Sequence, residues 1–236
     1  MLLVERGLAD TRELAKALIM AGHVLVEDKP ITKAGEGVNA RSDVRLRQPD
    51  HPFVGRGGLK LAGVLDPLDV SPSGLVCADI GASIGGFTHC LLLAGAKRVY
   101  ALDVDSSQLA WSLRCDARVF PVEGNARYLE DDWLPEKVDM VTIDVSFISV
   151  IKILARMGEL LKSGGWCLAL VKPQFELGPG QVGKGGVVKD PDLHAESIQR
   201  VSAAVADMSL IQRRTCPSPI TGKQGNREFF VLFEKI

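Results

Sequence analysis

The chain has 236 residues, of which 46% are hydrophobic and 24% are charged, and its formal net charge at pH 7 is −1. This composition is typical of a soluble globular protein with material for a large core. The charge balance excludes a protein that binds nucleic acid through overall basic charge alone.

The five cysteines form no C-x-x-C pair, which favours reduced thiols in a cytoplasmic protein over a disulfide framework or a zinc site. The first residues lack the basic and apolar regions of a secretion signal. No apolar run reaches the ~18 residues that a membrane-spanning helix needs, so we expect no stable membrane association. The scattered histidines, which predict no metal site, are His23, His51, His89 and His194.

Residues 1–50 differ in pattern from the rest and predict a small α+β domain. Asp10 can cap a helix over residues 10–21, Glu13 lies three positions later, and Gly22 can end it. Short strands are predicted at residues 23–26, 30–32 and 44–46. Two prolines mark residues 48–52 as a linker, and the second domain is predicted to span residues 51–236.

From residue 57 onward, strand and helix patterns alternate, as in a parallel sheet covered by helices on both faces. The predicted strands are residues 75–80, 98–102, 118–122, 138–144, 166–171, 210–214 and 228–233. The predicted helices are residues 57–68, 87–94, 108–114, 148–161 and 191–208. The segment 217–225 is too short for a parallel crossover, so the last strand should be antiparallel. The fold class is therefore α/β, with a seven-stranded, mostly parallel sheet like that of Rossmann-like methyltransferases.

A glycine-rich segment, DIGASIGGFT at residues 79–88, follows the first strand of this sheet. Its small residues would let main-chain N–H groups approach a ligand, and the next helix would present its N-terminal dipole. The spacing matches neither GxGxxG nor GxxxxGK[ST], which argues against an NTPase. On this segment alone, a cofactor site and a structural turn that needs glycine are equally well supported. The candidate cofactor contacts are Asp79, Gly81, Ala82, Ser83, Gly85, Gly86 and Phe87.

Further polar residues follow the next strands, where ligands of open α/β sheets bind. Asp103 could accept both hydroxyls of a ribose. Asn125 could read an adenine edge and Ala126 could pack on its face, although Asn125 is equally well suited to cap a helix.

Four charged residues border the same edge. Asp144 and Lys172 end the fourth and fifth strands, and Glu228 begins the last. Lys60 lies in the run GRGGLK. Each alone is explained by a surface charge or a structural ion pair, but together they could converge on one cleft, which Asp144 would share with the cofactor.

The chain resembles the TlyA family, whose members are named as haemolysins but act as 2′-O-ribose methyltransferases on ribosomal RNA, within the wider FtsJ/RrmJ-like group. The resemblance implies S-adenosylmethionine as the cofactor and ribosomal RNA or a ribosomal subunit as the partner. It also implies a Lys-Asp-Lys-Glu catalytic tetrad at Lys60, Asp144, Lys172 and Glu228. The matching segments are LVERGLADTRELAKALIMAGHVLV, GRGGLKL, DIGASIGGFT, VYALDVDSSQLAW, VTIDVSFIS, LVKPQFELG, GGVVKD and GNREFF.

The amino-terminal domain resembles the S4-like (alpha-L) RNA-binding domain, here with a short start, and the resemblance implies that it presents Arg12, Lys16 and Lys33 to RNA. Further candidate RNA contacts are Arg56, Lys184 and Lys189. The two lysines belong to the glycine-rich loop 174–189, which we expect to be mobile until RNA binds.

The chain departs from the family pattern at Ile84, where threonine is usual, at His89, where an acid is usual, and at Gly55, where serine is usual. We expect the first two changes to weaken the cofactor site. Two other functions remain open, a pore-forming haemolysin and an RNA-binding protein with an inactive methyltransferase fold. The absence of spanning segments argues against the first, and the intact tetrad argues against the second.

Overall fold

The computed structural model describes residues 2–47, 51–128 and 133–236. Two compact units make up the chain, Met1–Pro52 and Phe53–Ile236. Residues 48–50 of the predicted linker lie outside the described residues. Within the described residues no helix is long and apolar enough to cross a membrane, and all five cysteines are free.

The amino-terminal unit packs two helices on a three-stranded antiparallel sheet of order β2-β1-β3. A hydrophobic cluster that includes Leu3, Ile19 and Val24 forms its core. The predicted cap is wrong by one residue, because the Thr11 hydroxyl, not Asp10, accepts the Leu14 N–H at 3.0 Å. The elements are α1 (Leu2–Glu5), α2 (Arg12–Met20), β1 (Val24–Val26), β2 (Lys29–Ile31) and β3 (Val44–Leu46).

The second unit contains a seven-stranded sheet of order β6-β5-β4-β7-β8-β10-β9. Its strands are β4 (Val76–Ile80), β5 (Arg98–Asp103), β6 (Val119–Glu123), β7 (Val138–Ile143), β8 (Leu161–Val171), β9 (Leu210–Pro217) and β10 (Phe229–Lys235). Its helices are α3 (Gly57–Leu68), α4 (Gly86–Leu93), α5 (Trp111–Arg114), α6 (Ile151–Leu160), α7 (Pro173–Glu176) and α8 (Pro191–Ala204). Short 3-10 turns lie at Ser106–Gln108, Ala126–Tyr128 and Lys184–Gly186.

The predicted fold is confirmed. Strands β4 to β8 pair in parallel, whereas β10 is antiparallel to both β8 and β9. Helices α3, α4 and α5 contribute to the core on one face of the sheet, and α6 and α8 contribute on the other. Because β5 and β7 lie on opposite sides of β4, the strand order reverses at β4, and such a reversal is where open α/β sheets bind ligands.

Candidate active site

A cleft of about 410 Å³ opens at the carboxyl ends of β4, β7 and β8. Ligand sites in proteins usually have volumes of ~300–1,000 Å³. Five stretches of the second unit form the walls: the start of α3, the glycine-rich segment after β4, the loops after β7 and β8, and the loop before β10. The charged side chains on its walls are Arg56, Lys60, Asp144, Lys172, Lys223 and Glu228.

The four predicted catalytic residues meet in this cleft as two ion pairs. Lys172 Nζ lies 2.6 Å from Asp144 Oδ1, and Lys60 Nζ lies 2.6 Å from Glu228 Oε2. Lys172 and Glu228 are only 7% and 4% exposed. Lys60 Nζ donates to Glu228 Oε2, and a short, charge-assisted hydrogen bond between such groups fixes the positions of their side chains, while Lys172 is held to Asp144 by charge.

The topology of the sheet explains why residues so far apart in the chain meet. Asp144 and Lys172 each follow directly on a parallel strand, so both lie at the carboxyl edge. Strand β10 runs the other way and pairs Phe229 with Val171, so Glu228 is placed at that same edge. Lys60 reaches the cleft from the first turn of α3.

The glycine-rich segment contributes shape to the cleft. Gly81 has a φ of +83°, and a Cβ there would lie 2.4 Å from the Asp144 carbonyl oxygen. A Cβ on Gly86 would lie 2.9 Å from the Gly58 nitrogen. The N–H groups of Gly81 and Ala82 both donate to the Leu102 carbonyl. These two N–H groups therefore serve the turn, and the expectation that they approach a ligand is wrong.

Asp79 is not on the cleft wall, which corrects its prediction as a cofactor contact. Its side chain is fully buried and accepts hydrogen bonds from Thr88 Oγ1 at 2.7 Å and from Thr142 Oγ1 at 3.0 Å. Burial raises the pKa of Asp79 to about 6, against the lowering effect of the two threonine hydroxyls. The residue ties α4 and β7 to the end of β4.

Other predicted cofactor residues surround the glycine-rich segment with differing exposure. Ser83 lies on the cleft wall, and its N–H donates to Asp103 Oδ2 at 2.8 Å. Asn125 is exposed, and its Oδ1 accepts the Arg127 N–H at 3.0 Å, so it makes the capping contact that was one of its two predicted roles. Ala126 is half-buried against the core.

Two further residues of the predicted cofactor site, Gly85 and Phe87, pack against other side chains of the second unit. Gly85 is buried with a φ of +99° and has Leu113 Cδ1 where a Cβ would stand. Phe87 lines the cleft, and its ring stacks on Phe230 with the ring centroids 5.9 Å apart.

Two of the departures from the family pattern contact the segment just before α3. Val54 N–H donates to His89 Nδ1 at 3.2 Å, and burial lowers the pKa of His89. Ile84 lines the cleft, and a Cβ on Gly55 would lie 2.8 Å from Ile84 Cγ2. Both residues therefore have a packing role in this chain.

Sequence reasoning missed several cleft residues in the loops after β7 and β8. Ser146 accepts a hydrogen bond from Lys172 Nζ at 2.9 Å. Phe147 is 91% exposed, has a φ of +66°, and its ring centroid lies 5.6 Å from that of Phe175. The sequence shows an aromatic residue, Phe147, close to Asp144, but only the structure shows that its ring is exposed. Gln174 and Phe175, after β8, and Lys223, in the loop before β10, are among the other cleft residues that were missed.

The predicted RNA contacts lie on exposed surface in both units. In the first unit Arg12 and Lys16 lie on α2, and Lys33 follows β2. In the second, Arg56 is at the cleft, whereas Lys184 and Lys189 are exposed on the loop 174–189.

Two buried residues hold part of that loop. Asn226 accepts the Val188 N–H and donates to the Gly186 carbonyl, and His194 Nε2 lies 2.9 Å from the Val188 carbonyl oxygen. These contacts hold residues 186–188 in place, which differs from the mobility expected for this part of the loop.

The reversed last strand, the glycine-rich turn after the first strand, and the charged cleft beside it define a Rossmann-like methyltransferase domain. Family models agree: residues 53–235 match the FtsJ-like methyltransferase family, and residues 1–44 match the S4 domain. The chain therefore belongs to the FtsJ-like methyltransferases, within the group of proteins named TlyA or hemolysin.

Three similar proteins illustrate the relationship. The Bacillus subtilis protein YqxC, named as an rRNA methyltransferase, is 46% identical over 98% of this chain and 83% of its own length. The Mycobacterium tuberculosis 16S/23S rRNA (cytidine-2′-O)-methyltransferase TlyA is 41% identical over 97% of this chain and 86% of its own length. A solved Streptococcus thermophilus protein, titled as a hemolysin, is 40% identical and has a TM-score of 0.77, covering 99% of this chain and 86% of that one.

Proposed function

We propose that this protein transfers a methyl group from S-adenosylmethionine to the 2′-hydroxyl of a ribose in ribosomal RNA. The observation that carries the proposal is the meeting of Lys60, Asp144, Lys172 and Glu228 beside the glycine-rich segment. The activity named for the Mycobacterium tuberculosis relative is the same. Because ribosomal RNA is the substrate, the proposed place of action is the cytoplasm.

The residues around the glycine-rich segment fit S-adenosylmethionine. Gly81 and Gly86 line the cleft, and they let its wall lie closer to Asp144 and to the start of α3 than residues with a Cβ would. The Asp103 carboxylate accepts backbone N–H groups from Ser83 and Asp105, and a carboxylate has about four acceptor positions. Asp103 therefore keeps capacity for the ribose hydroxyls of the cofactor.

Asn125 and Ala126 are the proposed contacts for the adenine. Asp144, which borders Gly81, is proposed to face the methionine end. When bound, the cofactor supplies an electrophilic methyl group on a sulfonium.

Lys172 is the residue placed to manage the proton of the attacking hydroxyl. In its neutral form its Nζ would take that proton as the hydroxyl oxygen bonds to the methyl group, and the bound cofactor would supply that methyl group and keep the electron pair of the broken carbon–sulfur bond. Asp144 holds the Lys172 amine in place, and Glu228 holds Lys60. Orientation of reacting groups can contribute up to ~7–11 kcal/mol to lowering the barrier, so fixed side chains suit this chemistry.

The cleft entrance has the features that RNA needs. Arg56 and Lys223 provide positive charge for phosphates. Phe147 offers an exposed ring next to Phe175, and unpaired RNA bases commonly stack on aromatic side chains. In this proposal the S4 domain at residues 1–44 supplies further RNA contacts through Arg12, Lys16 and Lys33.

The test is transfer of a labelled methyl group to purified ribosomal subunits, followed by mass mapping of the rRNA. We expect a 2′-O-methylated nucleotide with the wild-type protein and none with Lys172→Ala, while calorimetry shows that the variant still binds S-adenosylmethionine. A matched control is Lys162→Ala, which breaks another Lys–Asp pair of β8, with Asp139 at 2.7 Å, at the far end of the strand.

Near-normal turnover by Lys172→Ala would contradict the assignment of that residue. Wild-type protein that binds no S-adenosylmethionine would favour an RNA-binding protein with an inactive fold. Leakage of dye from liposomes, together with an absence of methyl transfer, would favour the pore-forming alternative.

A further inference from the structure

Ser146 lies two residues after Asp144, in the loop that leaves β7, and its side chain lines the cleft. Lys172 Nζ donates to Ser146 Oγ at 2.9 Å and lies 2.6 Å from Asp144 Oδ1. The nitrogen of this lysine therefore has one hydrogen-bond acceptor, Ser146, and one ion-pair partner, Asp144, on the same loop.

A tetrahedral amine nitrogen has three positions besides its bond to carbon. Ser146 occupies one of them by accepting an N–H bond, and Asp144 pairs with the amine through its charge, so the third is left for the reacting hydroxyl. With Asp144 alone, the amine could rotate about its Cε–Nζ bond and turn that third position away from the substrate.

We propose that Ser146 is a positioning residue that fixes the rotation of the Lys172 amine, so that its remaining position faces the attacking 2′-hydroxyl. This inference rests on the proposed function. It adds to the reaction a residue outside the Lys-Asp-Lys-Glu tetrad.

The loop that carries Ser146 has a second anchor, so removing the hydroxyl should leave the loop in place. Glu176 accepts hydrogen bonds from Ser149 Oγ at 2.6 Å and from the Val150 N–H at 2.8 Å. Glu176 is carried by α7, which follows Lys172 directly. The loop after β7 is thus tied to the chain after β8 at two separate points, of which only one is Ser146.

The experiment compares Ser146→Ala, Ser146→Cys and Ser146→Thr in the full-length protein. Alanine removes the acceptor, cysteine keeps nearly the same shape with a much weaker acceptor, and threonine keeps the hydroxyl. We expect kcat to fall about tenfold to a hundredfold in the first two variants and to stay within about threefold of wild type in the third. The KM for the ribosomal subunit and the Kd for S-adenosylmethionine should change less than about twofold in all three.

Ser149→Ala is the matched control, because it removes a serine hydroxyl from the same loop without touching Lys172. An equal loss of kcat in Ser149→Ala would make the effect one of loop placement and would overturn the proposal. Wild-type turnover by Ser146→Ala, or failure of Ser146→Thr to restore kcat, would also overturn it.

A second measurement separates this inference from the proposed function. Nitrogen NMR of the lysine side chains, with the Lys172 signal assigned from Lys172→Met, reports the contact without any turnover. The signal should move in Ser146→Ala and Ser146→Cys but little in Ser146→Thr. An unmoved signal in Ser146→Ala would refute the contact, even if the wild-type protein methylates no RNA.

Discussion

The buried carboxyl of Asp79 should make the stability of this protein depend on pH in a way that Asp79→Asn removes. Burial raises its pKa from 3.8 to about 6, so the native protein holds the proton more tightly than the unfolded chain does. The stability that the neutral form provides is fully present below about pH 4 and is lost as the pH rises through 6. Through Asp79, the free energy of unfolding changes by about 3 kcal/mol in total, at ~1.36 kcal/mol per pKa unit. About 1.4 kcal/mol of this change falls between pH 5 and pH 8.

The neighbours of Asp79 support this assignment. Thr88 and Thr142 donate to its two oxygens, and the negative charge of Asp144 adds to the rise in pKa. The nearby thiols of Cys77 and Cys90 have pKa values raised to about 12 by burial, so they stay neutral throughout this range.

Urea unfolding at about pH 5 and pH 8 provides the assay. The free energy of unfolding of Asp79→Asn, relative to that of wild type, should rise by about 1.4 kcal/mol between these pH values, because all other titrating groups are shared. Thr142→Val removes one donor to the carboxylate and should be more destabilising at the higher pH. Parallel pH dependences for wild type and Asp79→Asn would refute the reasoning.

Two further variants test the walls of the cleft. Gly81→Ala should weaken S-adenosylmethionine binding at least about tenfold by calorimetry, because its Cβ would lie 2.4 Å from the Asp144 carbonyl oxygen. Gly164→Ala, with a φ of +75° and nothing within 4 Å, is the control for backbone strain, and equal effects would contradict a clash. Phe147→Ala should leave thermal stability unchanged, since the side chain is 91% exposed, but should lower kcat/KM for the ribosomal subunit about tenfold through lost stacking. Unchanged kcat/KM would remove Phe147 from the RNA site.

The positions of the charged residues could be predicted because the sequence pattern locates the ends of the strands that carry them. The apolar runs before Asp144 and Lys172 match β7 and β8 closely at their carboxyl ends, and parallel strands bring such ends to one edge. The short segment before Glu228 predicted the reversal of β10. These inferences needed only local pattern and sheet geometry, and they brought together residues up to 168 positions apart, such as Lys60 and Glu228.

Features that depend on a distant partner could not be predicted. Helix α6 begins at Ile151 rather than at the predicted residue 148, and the carboxylate of Glu176, from 26 positions away, accepts the Val150 N–H at its start. Asp79 has the sequence position of a cofactor ligand, but Thr142, 63 positions away, binds its carboxylate inside the core. Neither contact can be predicted from the spacing of nearby residues in the sequence.

The two interpretations of the glycine-rich segment, a cofactor site or a turn that needs glycine, turn out to be compatible. Gly81 and Gly85 have positive φ values, and Gly86 lies against the backbone of Gly57 and Gly58 at the start of α3, so each has a structural reason to be glycine. Lys60, which forms its ion pair with Glu228, lies in the first turn of that same helix α3, while Gly81 lies against the Asp144 backbone. In the proposed function, a turn this tight sets the distance between the proposed place of the methyl donor and the residues proposed to act on the acceptor. Substitutions that widen it should impair catalysis even where cofactor binding survives.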